Sequence, residues 1–351
     1  MDNQRKIILD DLILAVQKGY GISLETLEFL LHGWGGDCYA AETRDGKRYF
    51  LKLHDEANYM GIAITSRPFY LPLMDQLYTK GILPHIPHPL ATKTGALSLE
   101  IGAHELVITN YIEADLVGFG ALPEPILAQL AELVGILHRS RSQLEFEHPL
   151  IEQFDFASQV DLMDSFERVA AITSKDRIGK QLLRQTFLPH TEEVLTALQY
   201  LQTLQERVRT IHKPKVICHT DLHGGNLMTD HQGNLYILDW ENAMIAPPEH
   251  DLFFFAGVKK FWDVFWPGYS GQYEAASIDC DILTFYFYRR VLEDIAGFVL
   301  RILQGDGSEE RDREDIGWLK GNFEELGQIE STVVEIQKRV ETLTGLTTAE
   351  I

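Results

Sequence analysis

Asp221 and Asn226 stand five positions apart in "HTDLHGGN", residues His219 to Asn226, between the apolar runs "KVIC" and "LYILDW". A carboxylate can take the proton of an attacking hydroxyl, and an amide oxygen is a hard ligand for a divalent cation. Both groups can turn toward one phosphoryl group if the loop between them is tight. Gly224 and Gly225 would permit that turn. A plain hairpin loop is the competing explanation, because Gly225-Asn226 is also ordinary turn chemistry.

Two further segments decide between them. "LYILDWENA" places Asp239 at the end of an apolar strand, thirteen residues after Asn226. A hairpin turn over Asp230 to Asn234 would bring Asp239 beside Asn226. Together they supply oxygen ligands suited to Mg²⁺ on triphosphate oxygens. In "YFLKL", Lys52 sits inside an apolar strand, about twenty residues after Gly33-Trp34-Gly35-Gly36. A lysine there is an edge-strand gatekeeper or a phosphate-binding cation. The glycine run lacks the full Gly-x-Gly-x-x-Gly pattern, although glycine amides can still approach phosphates closely.

The spacing His-x-Asp-x-x-x-x-Asn is that of the kinase catalytic loop. With "VITNYIEA", "HTDLHGGNLM", "ILDWENA" and "PPEHDLFFF" in order, the chain resembles the aminoglycoside phosphotransferase family over nearly its whole length. These enzymes are antibiotic-modifying relatives of protein kinases. The resemblance implies an α+β, bilobal, protein-kinase-like fold, with a small antiparallel-sheet N-lobe and a larger, mainly helical C-lobe. It implies ATP or GTP with Mg²⁺ in the cleft. By the same resemblance Asp221 is the catalytic base, and Asn226 and Asp239 are the magnesium ligands. Lys52 meets the α/β-phosphates, Gly35 and Gly36 form the glycine turn at the nucleotide, and the backbones of Asn110 and Ile112 face adenine. His219 and Asp251 hold the loop in place, whereas His223 has either a functional or a packing role. The tail "YFYRRVLEDIAGFVLRIL" is also similar to spectinomycin-type phosphotransferases. An amphipathic packing helix with Arg289 and Arg290 in solvent explains it equally.

Departures from the pattern carry information. Kinases pair the strand lysine with a helix glutamate, but here that position falls near Pro68 to Tyr70, where no acid stands. Glu56 and Asp75 are the nearest substitutes. Thr220 replaces the arginine that meets an activation-loop phosphate in regulated protein kinases. Only eleven residues separate Asp239 from Asp251, too few for a peptide-binding segment. Both departures favour a small-molecule acceptor over a protein.

The elements that must position these residues are legible in outline. The stretch "DDLILAVQKGYGI" reads as a helix, followed by strands joined at the glycine run and at Asp45-Gly46. "YLPLMDQLYTKG" reads as a helix, and two more strands lead to residue 110. The first lobe is therefore residues 1–110, and residues 111–351 form the second, with a helical insert at about 149–214. Gln304 to Asp315, "QGDGSEERDRED", reads as a flexible loop.

Composition narrows the partners. Of 351 residues, 31 are Lys or Arg and 52 are Asp or Glu, a formal charge of −21. Such acidity repels nucleic acid and attracts a cationic ligand. Residues 1–110 carry a net −3 and residues 111–351 a net −18, so Glu249, Asp279 and Asp281 become candidate acceptor contacts. Cys38, Cys218 and Cys280 lack the spacing of a zinc site or disulfide framework. The acidic start "MDNQRKIILDDLI" and the absence of a long apolar run point to a cytoplasmic protein without a membrane span. The sequence thus predicts phosphoryl transfer to a hydroxyl of a small cationic molecule, with an aminoglycoside or aminocyclitol first. A metabolic kinase for an amino alcohol, sugar or amino acid is the enzymatic rival. A nucleotide-binding pseudokinase is the non-enzymatic one.

Overall fold

The computed structural model of the chain describes residues 3–33, 36–55, 62–258, 260–305 and 308–344. Gly35 of the glycine turn and Glu56, one substitute partner for Lys52, lie outside the described residues. The chain begins with α1 (Asn3–Tyr20), β1 (Leu24–Gly33), β2 (Gly36–Thr43), β3 (Arg48–Asp55) and α2 (Ile62–Thr79). It continues through β4 (Leu99–Ile101), β5 (His104–Asn110), β6 (Asp115–Leu116) and α3 (Glu124–Arg139). Three helices follow, α4 (Gln159–Ala170), α5 (Ile178–Phe187) and α6 (Thr191–Val208). Four short strands come next: β7 (Val216–Cys218), β8 (Leu227–Thr229), β9 (Leu235–Ile237) and β10 (Met244–Ala246). The remainder is α7 (Glu249–Ala256), α8 (Trp266–Gln272), α9 (Cys280–Gln304), α10 (Glu309–Leu326) and α11 (Ile329–Thr344). No described helix is long and apolar enough to cross a membrane.

Two compact units emerge, and both are discontinuous in sequence. The first contains 1–151, 216–246 and 262–275; the second contains 152–215, 247–261 and 276–351.

In the first unit, β1, β2, β3, β5 and β4 form an antiparallel sheet in that order. The tight turn at Asp45-Gly46 has Gly46 at φ +81°, which suits glycine. Strand residues alternate between faces. Leu51 and Leu53 join Leu12 and Val16 of α1 in one core with Tyr39, Ala41, Leu106 and Ile108. Lys52 and His54 therefore point to the opposite face. Helix α2 begins well before the expected "YLPLMDQLYTKG" and carries Pro68 and Pro72 inside it. Proline removes a helical hydrogen bond. Burial of Phe69, Tyr70, Leu73, Met74 and Leu77 along one face offsets that loss.

In the second unit, α9 is the central helix, packed by α4, α5, α6, α7, α10 and α11. Arg289 of α9 is not in solvent. It is 7 % exposed, and it donates to Glu152 at 2.9 Å and to His250 Nε2 at 2.9 Å. Burial would push the Glu152 carboxyl up, but the Arg289 guanidinium brings it down to about 2. Burial first, then the same guanidinium, pushes His250 down to about 3, so its imidazole is neutral. The expected loop at Gln304 to Asp315 is also revised, since α10 starts at Glu309 with Ser308 as its cap. The acids Glu309, Glu310 and Asp312 occupy the first turn, where carboxylates favour the helix dipole. Asp312 and Asp315 are buried, against Arg177 and Arg301 respectively.

Candidate active site

The sequence HTDLHGGN links β7 to β8. Strands β8 and β9 pair antiparallel, Leu227 opposite Ile237, around the turn expected at Asp230 to Asn234. One Asp230 oxygen accepts the backbone N–H groups of Gln232 and Asn234, both at 2.9 Å, which closes that turn. The register sets Asn226 opposite Leu238, whose N–H donates to the Asn226 carbonyl at 2.8 Å. Asp239 follows directly, in the left-handed region at φ 58°.

Hydrogen bonds stitch the loop to this hairpin. His219 is fully buried, and its Nδ1 accepts the Asp221 N–H at 3.3 Å. That leaves the proton on Nε2, which donates to the Leu238 carbonyl at 2.7 Å. Thr220 has φ 72°, an unusual conformation for a β-branched residue. Its hydroxyl donates to the Asn242 carbonyl at 2.9 Å.

Around Asp221, the Asn226 amide nitrogen donates to the carbonyl at 2.9 Å and to Oδ2 at 3.0 Å. The amide oxygen of Asn226 consequently faces away from Asp221. His223 accepts the Gly225 N–H on Nδ1 at 3.1 Å, so its Nε2 carries the proton and faces Asp221 Oδ2 at 3.5 Å. Phe119 stacks on the imidazole, centroid to centroid 5.3 Å.

The two glycines permit the tight loop through lack of a side chain rather than through positive φ. Gly224 and Gly225 are not among the residues with positive φ. A Cβ on Gly224 would stand 2.0 Å from the Gly118 carbonyl oxygen, and one on Gly225 would stand 2.8 Å from the Phe119 ring. Close backbone approach is thus the reason for glycine. Gly224→Ala is expected to destabilise the protein by about 1–3 kcal/mol, as overpacking does, with a matching loss of turnover. Urea unfolding at neutral pH measures it, and an unchanged midpoint would count against this packing. Gly36 is fixed in a similar way, at φ +140° with a Cβ position 2.2 Å from the Leu53 carbonyl oxygen.

Lys52 Nζ lies 3.5 Å from Asp239 Oδ1 and 2.5 Å from Glu241 Oε1. Asp75, an expected substitute partner for Lys52, instead contacts His88 at 3.0 Å. Sequence reasoning passed over Glu241; an acid two places beyond Asp239 in an apolar segment was the available signal. The Asp239 side chain is 44 % exposed, and its residue follows Leu238, the residue bonded to the Asn226 backbone. An amide oxygen and a carboxylate are both hard donors of the kind that suit Mg²⁺.

Asn110 ends β5, its Oδ1 accepting the His88 N–H at 2.6 Å. With Ile112 it lines a recess of about 270 Å³ that also includes Tyr111, Asp230 and Tyr236. In the second unit, Asp251 is buried in α7. Glu249 is fully buried too, paired with Lys213 and accepting the Asp279 N–H at 2.7 Å. It is built into the fold rather than facing solvent, as an acceptor contact would. Asp279 caps α9, accepting the Asp281 and Ile282 N–H groups at 3.0 Å. Asp281 is 38 % exposed and pairs with Arg207 at 2.9 Å.

Comparison with known proteins gives this geometry a context. The model of the phosphotransferase enzyme family matches residues 26–313. A spectinomycin phosphotransferase, solved with ADP and spectinomycin, superposes with a TM-score of 0.70 at 20% identity, covering 92% of this chain and 98% of that one. A microcompartment-associated aminopropanol kinase gives 0.64 at 12% identity, with 93% and 98% covered. An amicoumacin kinase, solved with AMP-PNP, Ca²⁺ and Ami, gives 0.61 at 15% identity, with 94% of each chain covered. These likenesses show a shared kinase-like fold.

Proposed function

Since the chain belongs to the phosphotransferase enzyme family, it is a small-molecule kinase, and we propose that it moves the γ-phosphoryl group of ATP or GTP onto a hydroxyl of a small cationic acceptor. An aminoglycoside or aminocyclitol is the first choice. The reading rests on one arrangement, the Asp221 carboxylate held by Asn226 and His223 in a loop stitched to the Asp239 segment beside Lys52. The acceptor oxygen forms a bond to phosphorus while the bond to the departing diphosphate breaks, and the acceptor's proton passes to Asp221. Lys52 offsets charge on the α/β-phosphates. Asn226 and Asp239 would hold Mg²⁺, which when bound neutralises charge on the phosphate oxygens. Gly35, Gly36, Asn110 and Ile112 are assigned to the nucleotide. His219 and Asp251 are assigned to support of the loop. In this reading residues 1–110 are the nucleotide-binding lobe, residues 111–351 carry the acceptor, and the enzyme works in the cytoplasm.

Acidity supports a cationic acceptor, since residues 111–351 carry a net −18. Of the three acids singled out, Asp281 is the one to test first, because its side chain is 38 % exposed, whereas Glu249 is fully buried and the Asp279 carboxylate is taken up by capping α9. Coupled detection of ADP over a panel of aminoglycosides, aminocyclitols, amino alcohols and neutral sugars tests the assignment. Cationic acceptors should give the highest kcat/KM, and that value should fall as ionic strength rises. A neutral preferred acceptor would overturn the charge argument and leave the kinase reading intact. Preference for a simple amino alcohol would favour a metabolic enzyme, the activity named for the aminopropanol kinase of similar fold.

A further inference from the structure

The strand lysine of a kinase needs an anion behind it, and the position that supplies one from the helix carries no acid in this chain. We infer that Glu241 takes that place as the positioning residue for Lys52, with His54 supporting it from behind. The inference rests on the reading of Lys52 as the phosphate-binding cation.

Distances and burial separate the two acids near Lys52. Glu241 Oε1 lies 2.5 Å from Nζ, and its side chain is 7 % exposed. Asp239 Oδ1 lies 3.5 Å away on a side chain that is 44 % exposed. A buried carboxylate without a counter-charge is costly, so Glu241 is held to Lys52, whereas Asp239 retains an open side for a ligand. His54 stands two residues from Lys52 on β3, hence on the same face, with Nε2 3.5 Å from the same Glu241 oxygen.

Helix α2 completes the arrangement without giving an acid. It packs over residues 240–242. It presents Tyr70, a buried residue whose hydroxyl is pushed far up, first by burial and then by the charge of Glu241. Its Arg67 contacts Glu105 of β5. The Thr220 hydroxyl holds the Asn242 carbonyl at 2.9 Å, so the segment that carries Glu241 is also tied to the catalytic loop. One ion pair thereby sets the strand cation and the base-bearing loop in a common frame.

A double-mutant cycle on the full chain tests the assignment. ADP affinity without Mg²⁺ would be measured calorimetrically for wild type, Lys52→Met, Glu241→Gln and the double variant, with adenosine as control. Lys52→Met alone reports on the phosphate reading. If it leaves ADP affinity unchanged, that reading fails, whatever Glu241 does. If Glu241 acts through Lys52, Glu241→Gln weakens ADP about tenfold when Lys52 is present and less than twofold in the Lys52→Met background, with adenosine unaffected. Equal losses in both backgrounds, a gain in ADP affinity, or a loss seen only with Mg²⁺ would each overturn it. The last outcome would make Glu241 a metal ligand. Should Glu241→Gln fold poorly, His54→Gln replaces it. That variant should weaken metal-free ADP binding in the same Lys52-dependent way, and an unaltered affinity would refute the support given to His54.

Discussion

Asp221→Asn is expected to lower turnover by about 10²–10⁴-fold, the usual worth of a general base, while nucleotide binding survives. The substitution keeps shape and removes the group that takes the acceptor's proton. The amide nitrogen of Asn226 donates to Asp221 Oδ2 at 3.0 Å, and the amide oxygen introduced by the substitution can accept that bond in turn. His219 holds the loop through the backbone N–H of residue 221 and the Leu238 carbonyl, which the substitution leaves untouched. Single-turnover phosphoryl transfer, alongside calorimetric ADP titration, separates chemistry from binding. Near-full turnover would remove Asp221 as the base. A parallel loss of ADP affinity would instead mean that the loop had collapsed.

Glu152→Gln should cost about 3 kcal/mol of stability, because it takes the nearer carboxylate from a buried guanidinium and leaves Glu293, 3.8 Å away, as its remaining counter-charge. Glu152 accepts from Arg289 at 2.9 Å, both side chains are under a tenth exposed, and the Tyr286 hydroxyl donates to the same carboxylate at 3.3 Å. The network also fixes a pH dependence. Both the Glu152 and His250 values are depressed, to about 2 and about 3 from ordinary values of 4.5 and 6.5. The unfolded chain therefore binds protons that the folded one refuses, first at His250 and then at Glu152. This stabilisation is complete above pH 6.5 and drains away as pH falls toward 2. Denaturant unfolding across that range should show a falling midpoint, and Glu152→Gln should flatten the part below pH 4.5. A midpoint constant from pH 6.5 to 3 would be incompatible with a neutral, buried His250.

Local patterns were the legible part of this protein. The apolar run "YFLKL" assigned Lys52 to a strand, and the turn residues Asp230 to Asn234 announced the hairpin that sets the Asp239 backbone near Asn226. Features set by distant packing were not legible. Gly224 looks like turn chemistry until Gly118, more than a hundred residues earlier, is found against it. Arg289 reads as a solvated helix charge because its partners, Glu152 and His250, come from other elements. "SEERDRED" has the composition of a loop, yet Glu309, Glu310 and Asp312 fill the first turn of α10, and Asp312 and Asp315 are buried against arginines. Glu241 escaped notice for the same reason. Its partners lie on β3, nearly two hundred residues upstream.

The first unit is assembled from 1–151, 216–246 and 262–275, and this has a consequence for biosynthesis. Its sheet is complete once β5 has been made, but the buried Trp240 and the acid facing Lys52 belong to a segment still to come. At about 5–20 residues per second, the intervening stretch alone delays that segment by several seconds. For that interval the face bearing Lys52 and His54 waits uncovered on the ribosome, a natural binding target for nascent-chain chaperones. Force measurements on stalled chains should register closure of this unit only after residue 275 has left the exit tunnel, and a fragment ending at residue 151 should fail to fold cooperatively.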